Sequence, residues 1–219
     1  SLCTDHGEPD DTQSLIRLLL YSDCFDIEGL IATYTEHVQG CVKTDYIHAV
    51  LKAYGKVRET LCCHSPDYPT EEYLQSCVKA GNPKCGMDEI GKENLAQALW
   101  RVRNERDANE WNEFCSKLYV YSVGDQYDQA GPWIRANCPR IHYITSYHSF
   151  RGMYRDGRKD LVNREWVETH ICNGHGSLGE MYPNYDGGDI WGSVTGVKEG
   201  DSPSFLYLIP NGLGNPYHP

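Results

Sequence analysis

Several features are missing from this chain of 219 residues. No apolar run approaches the ~20 residues that a membrane-crossing helix needs, so no membrane partner is expected. Ten cysteines occur without one C-x-x-C pair, and Cys62-Cys63 is their only close couple, which argues against a zinc ribbon. Basic residues are scarce: 20 Lys and Arg face 31 Asp and Glu, for a formal net charge of -11. A nucleic-acid binder needs clustered cations to meet phosphates, so nucleic acid is not an expected partner. No Asn-x-Ser/Thr sequon, internal repeat or dividing linker is found, and no secretory leader precedes the first elements, as suits a mature or trimmed chain.

What is present points to a packed globular domain. Hydrophobic residues make up 40% of the chain, with 16 Tyr and 5 Trp, which excludes a disordered chain. The length suffices for one self-sufficient core, so residues 1–219 are read as a single domain. Ten cysteines without metal spacing favour disulfides and an oxidising, extracellular compartment. Cys77–Cys85, closing a Gly/Asn/Pro loop, is the one local pair the sequence suggests.

Hydrophobic spacing predicts the elements. A buried helix follows Asp10-Asp11-Thr12, and Asp26–Thr33 reads as a strand. Tyr46, Ile47, Val50, Leu51, Tyr54 and Val57 mark one face of a long helix, and Thr70-Glu71-Glu72 opens another. Further helices are expected around Leu95–Val102, Trp111–Cys115, Pro132–Asn137 and Asn163–Ile171. Leu118–Val123, Arg140–Thr145 and Ser204–Ile209 read as strands, and Asp186–Asp189 as a surface loop. Strands alternating with helices imply an α/β, Rossmann-like fold, a mainly parallel sheet flanked by helices.

The segment richest in chemistry is Thr4-Asp5-His6-Gly7-Glu8-Pro9-Asp10-Asp11. Its four carboxylates within seven residues repel one another unless a cation neutralises them. The plain reading is a solvated acidic turn that caps the next helix. In an open α/β sheet, however, ligands bind beyond the carboxyl ends of strands, and this turn lies immediately before a buried helix. Clustered carboxylates there suit a hard cation with oxygen ligands, calcium or magnesium.

Thr4-Asp5…Asp10-Asp11, with the apolar helix after it and Ile27-Glu28-Gly29-Leu30-Ile31-Ala32-Thr33, resembles the nucleoside hydrolase superfamily. It is most similar to the secreted nucleoside hydrolase-like family associated with cellulose binding. The likeness continues through Tyr54–Arg58, Tyr68–Leu74, Asn94–Trp100, Asp128–Arg135, His175–Gly179 and Glu199–Leu206, nearly the whole chain in order. The resemblance implies that Asp5, Asp10, Asp11 and Asp201 hold calcium. It also implies that Asp5 or Asp10 acts as the base of an N-ribosyl-type hydrolysis, with Asn94, His37 and His175 toward the substrate. The implied ligand is a sugar-containing small molecule or glycan, and a homo-oligomer is a further expectation. A non-catalytic carbohydrate-binding or structural assembly protein that keeps the fold is the alternative.

Three departures from the family pattern stand out. Asp5 and Asp10 are five apart, one more than in the hydrolases. Gly200 precedes Asp201 where many of those enzymes place a leaving-group histidine; His37, His148 and His175 are the candidates to replace it, and spacing selects none. Gly91-Lys92-Glu93 leads straight into Asn94 where family members carry a further strand, so a missing segment is expected near residues 92–93. The amino-terminal strand is likewise expected to be cut short at Ser1-Leu2-Cys3, and the family suggests a further domain after Pro219. Trp100, Trp111, Trp133, Trp166 and Trp191 are candidates for a sugar-stacking platform, with burial in the core as the ordinary reading.

Overall fold

The computed structural model describes residues 2–5, 9–33, 42–81, 94–125, 129–155, 157–189 and 192–209. The chain begins with strand β1 (Leu2–Asp5) and helix α1 (Pro9–Leu19). Asp10 and Asp11 fall in the first turn of α1, where the helix dipole favours negative charge. This helix is buried nearly all round, so its polar side chains must find partners inside the protein. Strand β2 (Leu30–Thr33) pairs parallel with β1, setting Asp5 opposite Thr33. Strand β3 (Val78–Ala80) adds parallel to β2, with Leu30 opposite Val78. All three strands run the same way, so Asp5, Thr33 and Ala80 gather at one edge.

Helix α2 (Asp45–Leu61) buries Ile47, Val50, Leu51 and Tyr54, the predicted stripe. Helix α3 (Glu71–Cys77) is capped by Thr70, whose hydroxyl accepts from the Tyr73 N–H. These elements enclose a core built on Leu15, Leu19, Leu30, Leu51, Tyr54 and Leu74. A second, smaller core lies among helices α4 (Asn94–Glu105), α5 (Ala108–Ser116) and α6 (Ala130–Asn137) and strands β4 (Tyr119–Val123) and β5 (His142–Ser146). Leu99, Trp111, Cys115, Ile134 and Cys138 fill it. β4 and β5 pair parallel, joined through α6.

Helix α7 (Ser149–Tyr154) precedes α8 (Arg164–Val167), which continues as a π turn over Glu168–Cys172. Then come α9 (Gly176–Glu180), the antiparallel hairpin β6 (Tyr185–Asp189) and β7 (Gly192–Gly196), and α10 (Pro203–Leu206).

The helices and the parallel pairing match expectation; other readings change. Among the described residues the strands form separate sheets of three, two and two, not one wide sheet. Asp186–Asp189 is not a loop but part of β6, and Asp186 accepts from Arg164 at 2.8 Å. The expected strand Ser204–Ile209 is a helical turn: Pro203 sits at its first position, and five apolar residues cannot alone distinguish a strand from a buried helix. The second strand is confined to Leu30–Thr33. Cys24, Cys62, Cys63, Cys77, Cys115, Cys138 and Cys172 are free thiols. Cys77 is buried and donates to the Ile27 carbonyl at 3.2 Å, behaving as a small core residue rather than half of a bridge. Its suggested partner Cys85 lies outside the described residues, as do Lys92, Glu93 and Trp191. Trp111 is buried and stacked on Phe114, Trp133 packs on the second core and Trp166 on the first, so these three do not form an exposed platform.

Candidate functional site

Three polar residues of α1, Asp10, Gln13 and Arg17, stand at i, i+3 and i+7 and therefore share one face. That face grips the segment between β7 and α10. Gln13, wholly buried, donates to the carbonyls of Pro183 and Gly196, both at 2.8 Å. Its Oε1 accepts the backbone N–H groups of Lys198 at 2.7 Å and Glu199 at 3.0 Å. Arg17 donates through Nε and Nη2 to the two oxygens of Glu199, at 3.0 and 2.9 Å. Tyr182 and Ser202 donate to the same carboxylate at 2.7 and 3.0 Å.

Glu199 is fully buried and adopts a left-handed backbone, φ +33°, which a non-glycine residue holds only when its surroundings compel it. Its four side-chain hydrogen bonds supply that compulsion. Gly196 at φ +85° is needed for the approach: a Cβ there would stand 2.2 Å from the Val162 carbonyl oxygen. Electrostatics agree with the geometry. Burial lowers the Arg17 pKa, yet the hydrogen bond and charge of Glu199 more than offset it and leave the guanidinium above its ordinary value. Burial, then the charge of Glu199, push the Tyr182 phenol far above the usual tyrosine range.

The outcome of this clamp is a cluster of polar groups at the start of α1. Asp10 and Asp11 are both buried, and a Cβ on Gly200 would stand only 3.4 Å from Asp10 Oδ2, so the Gly200-Asp201 turn lies against Asp10. Lys198 Nζ is 3.2 Å from Asp10 Oδ2 and stands over the Tyr185 ring, 4.6 Å from its centre. Burial raises the pKa of Tyr154; Lys198 opposes the shift and Asp10 adds to it, which puts those three groups in one electrostatic neighbourhood. Asp10 Oδ1 is buried and has no hydrogen-bond partner among the described residues. A buried acceptor left unmet costs about 1–3 kcal/mol, so this oxygen marks a place for a donor or cation.

The predicted residues divide. Asp10 and Asp11 stand side by side in the first turn of α1, and the backbone of the Gly200-Asp201 turn lies against Asp10. Asp5 closes β1 at the edge where Thr33 and Ala80 end. Asn94 reaches that edge too: its amide lies 2.7–2.8 Å from where a Gly81 Cβ would be, next to the Ala32 carbonyl. His175 is exposed, with Nε2 3.2 Å from the Thr169 carbonyl, on a cavity that none of these aspartates lines. His148 is exposed after β5, and His37 lies outside the described residues. Among the described residues no three His, Cys, Asp or Glu surround a common point closely enough to hold a metal ion. The donor chemistry a hard cation wants is met in part, by one orphaned carboxylate oxygen on Asp10 with Asp11 next to it in the helix.

Lys198, Glu199, Gln13 and Arg17 were not anticipated from sequence. A signal for one of them existed: Arg17 interrupts the apolar run Leu15–Leu19, one turn after Gln13.

A parallel β1-β2-β3 sheet, helices around it and acids beyond its carboxyl edge define a nucleoside hydrolase-like α/β protein. The chain belongs to the family described as "Cellulose-binding Sde182, nucleoside hydrolase-like domain", whose model matches residues 2–94 and 90–219. It is also similar to a solved structure, a nucleoside hydrolase-related hypothetical protein from Saccharophagus degradans that is associated with carbohydrate metabolism. The two share 30% identity with a TM-score of 0.77 over 98% of this chain and 55% of the other, so this chain spans about half of that protein's length. No curated protein matches.

Proposed function

We propose that this domain is an extracellular, calcium-dependent carbohydrate site that cleaves an N-glycosidic or related glycosyl bond. The observation that carries the reading is the buried, unpartnered Asp10 Oδ1 beside Asp11 and the Gly200-Asp201 turn. Asp10, Asp11, Asp201 and, from the family pattern, Asp5 would hold the ion. When bound, calcium would supply the hard positive charge to which sugar hydroxyls and a water are drawn. The Asp5 or Asp10 carboxylate would accept that water's proton, while the clamp of Gln13, Arg17 and Glu199 holds Asp201 in register. Tyr185, half-buried, would present a ring to the sugar's apolar face once Lys198 moves from over it. Lys198 would leave Asp10 as the ion enters, or orient the substrate's oxygens.

A second reading, non-catalytic glycan binding, is favoured by two observations. Lys198 already neutralises Asp10, and Gly200 leaves no histidine next to Asp201 to protonate a leaving group. The family's description as cellulose-binding points the same way. The test is sugar release from a panel of nucleosides and glycosides, with and without chelator, on wild type and Asp10→Asn. Chelator-sensitive release that Asp10→Asn abolishes supports hydrolysis. Retention on cellulose with no release from any substrate replaces it with the binding role.

A further inference from the structure

Toward the carboxyl end of α1 lies a cavity of about 550 Å³ that none of Asp10, Asp11 and Asp201 lines. Seven residues of helix separate Asp10 from Arg17, or about 10 Å at the α-helical rise. The volume is in the range of small-molecule pockets, about 300–1,000 Å³. Its walls are aliphatic, with Ile16 from α1, Leu61 from α2 and Leu178 from α9. At one end stand the rings of Trp166 and His170, 5.2 Å apart.

Two features distinguish this cavity from an ordinary gap in packing. First, the wall carrying His170 and Ile171 is the π turn Glu168–Cys172, a rare backbone form that recurs at functional sites. The close approach of α9 fixes it, since a Cβ on Gly179 would meet the Ile171 carbonyl oxygen at 2.1 Å. Second, Arg17 and Tyr182 line the cavity from the clamp side. Glu199 engages Nε and Nη2 of Arg17, and Nη1 makes no further hydrogen bond among the described residues. An acidic protein thus places a cationic side chain in the wall of a largely apolar chamber. A sugar would leave most of its hydroxyls unmet against these walls, at a cost for each. An apolar body with one anionic group meets both wall and cation.

We propose that this cavity binds a small, largely apolar molecule bearing a single anionic group, with the ring system between Trp166 and the aliphatic wall and the anion on Arg17 Nη1. Because none of Asp10, Asp11 and Asp201 lines the cavity, the proposal holds or fails independently of the carbohydrate reading.

The test uses 8-anilinonaphthalene-1-sulfonate and its uncharged counterpart N-phenyl-1-naphthylamine on the folded protein, with near-ultraviolet circular dichroism to confirm native packing. The sulfonate is expected to bind saturably at one site. The neutral dye should bind about tenfold more weakly, because it lacks the charge-assisted hydrogen bond. Thr60, exposed on α2 at the cavity rim, gives a variant that leaves the core untouched: Thr60→Trp should lower sulfonate affinity at least about tenfold by filling the mouth. Independently of that variant, the Trp166 indole N–H resonance, assigned with Trp166→Phe, should shift on adding the sulfonate to wild type. Absence of saturable binding, equal affinity for the two dyes, or an unmoved Trp166 resonance each overturns the proposal. So does sulfonate binding that a folded Thr60→Trp leaves unchanged.

Discussion

The two cores of this molecule are built on opposite policies toward polar groups. The larger, around α1, α2 and β1-β2-β3, lies beside every charged or polar residue that is fully buried among those described: Asp10, Asp11, Gln13, Ser14, Ser22, Glu199 and Ser202. The smaller, around α4, α5, α6 and β4-β5, holds no residue of that kind among those described, although the Asp125 side chain is buried at its edge. Arg101–Glu105 and Lys117–Glu113 there are exposed helix pairs that add little. Burying polar groups is costly unless each is partnered, so a region that does so repeatedly is specifying a geometry rather than merely gaining stability. The first region is organised as a site, the second as a scaffold.

That contrast can be broken by substitution. The largest effect is expected from Glu199→Ala, which strands Arg17 and the Tyr182 hydroxyl. Removing one partner of a buried pair costs about 3–5 kcal/mol, and the lower end applies because Arg17 is partly exposed. Urea denaturation would measure it, and calcium affinity should fall with it.

In the scaffold region the closest counterpart is Asp125, which accepts from Arg135 at 2.6 Å and Tyr143 at 2.7 Å. Asp125→Ala should cost about 1–3 kcal/mol in the same experiment and leave calcium affinity unchanged. If calcium affinity also falls, the division between site and scaffold is wrong. The pH response follows from the same residue. Burial raises the Asp125 carboxyl, but hydrogen bonds from Arg135, Ser122 and Tyr143 outweigh it and hold the pKa below the ordinary value. A depressed folded pKa means stability that is present above the unfolded value, about 3.9, and is lost as pH falls through the folded one. Below about pH 4 wild type should therefore lose stability more steeply than Asp125→Ala. Parallel acid limbs would contradict this.

A smaller effect belongs to the cap of α5, where Asp107 accepts from the N–H groups of Asn109 and Glu110, and Glu110 accepts from the Asp107 N–H. Asp107→Ala should cost about 1 kcal/mol, read as a modest fall in Tm, with no change at the site.

Much of this was legible in the sequence, for physical reasons. The helices α2, α4 and α6 carry apolar stripes at 3.6-residue spacing, and Thr70 and Asp10-Asp11 are short-range start signals. The acidic turn was visible as clustered carboxylates, and two of them, Asp10 and Asp11, open α1. Long-range facts were not readable. Glu199 looked like one acid among thirty-one, since its partners on α1 are more than 180 residues away. Little nearby in the chain marks a residue that takes φ +33° with its carboxylate held by three side chains, Arg17 and Tyr182 from other elements and Ser202 three residues on. Ser204–Ile209 was misread because a short apolar run lacks a period, and the cysteines because composition indicates a compartment and not a pairing.

The central claim is that α1 and the segment from Gly196 to Ser202 together build a cation site on Asp10, Asp11 and Asp201. Calorimetric titration with calcium tests it most directly, on wild type, Asp10→Asn and Glu199→Gln. One site is expected in wild type, lost in Asp10→Asn and weakened about 10–100-fold in Glu199→Gln, as for loss of a supporting residue. No calcium binding to folded wild type, or binding that Asp10→Asn leaves intact, would contradict the account.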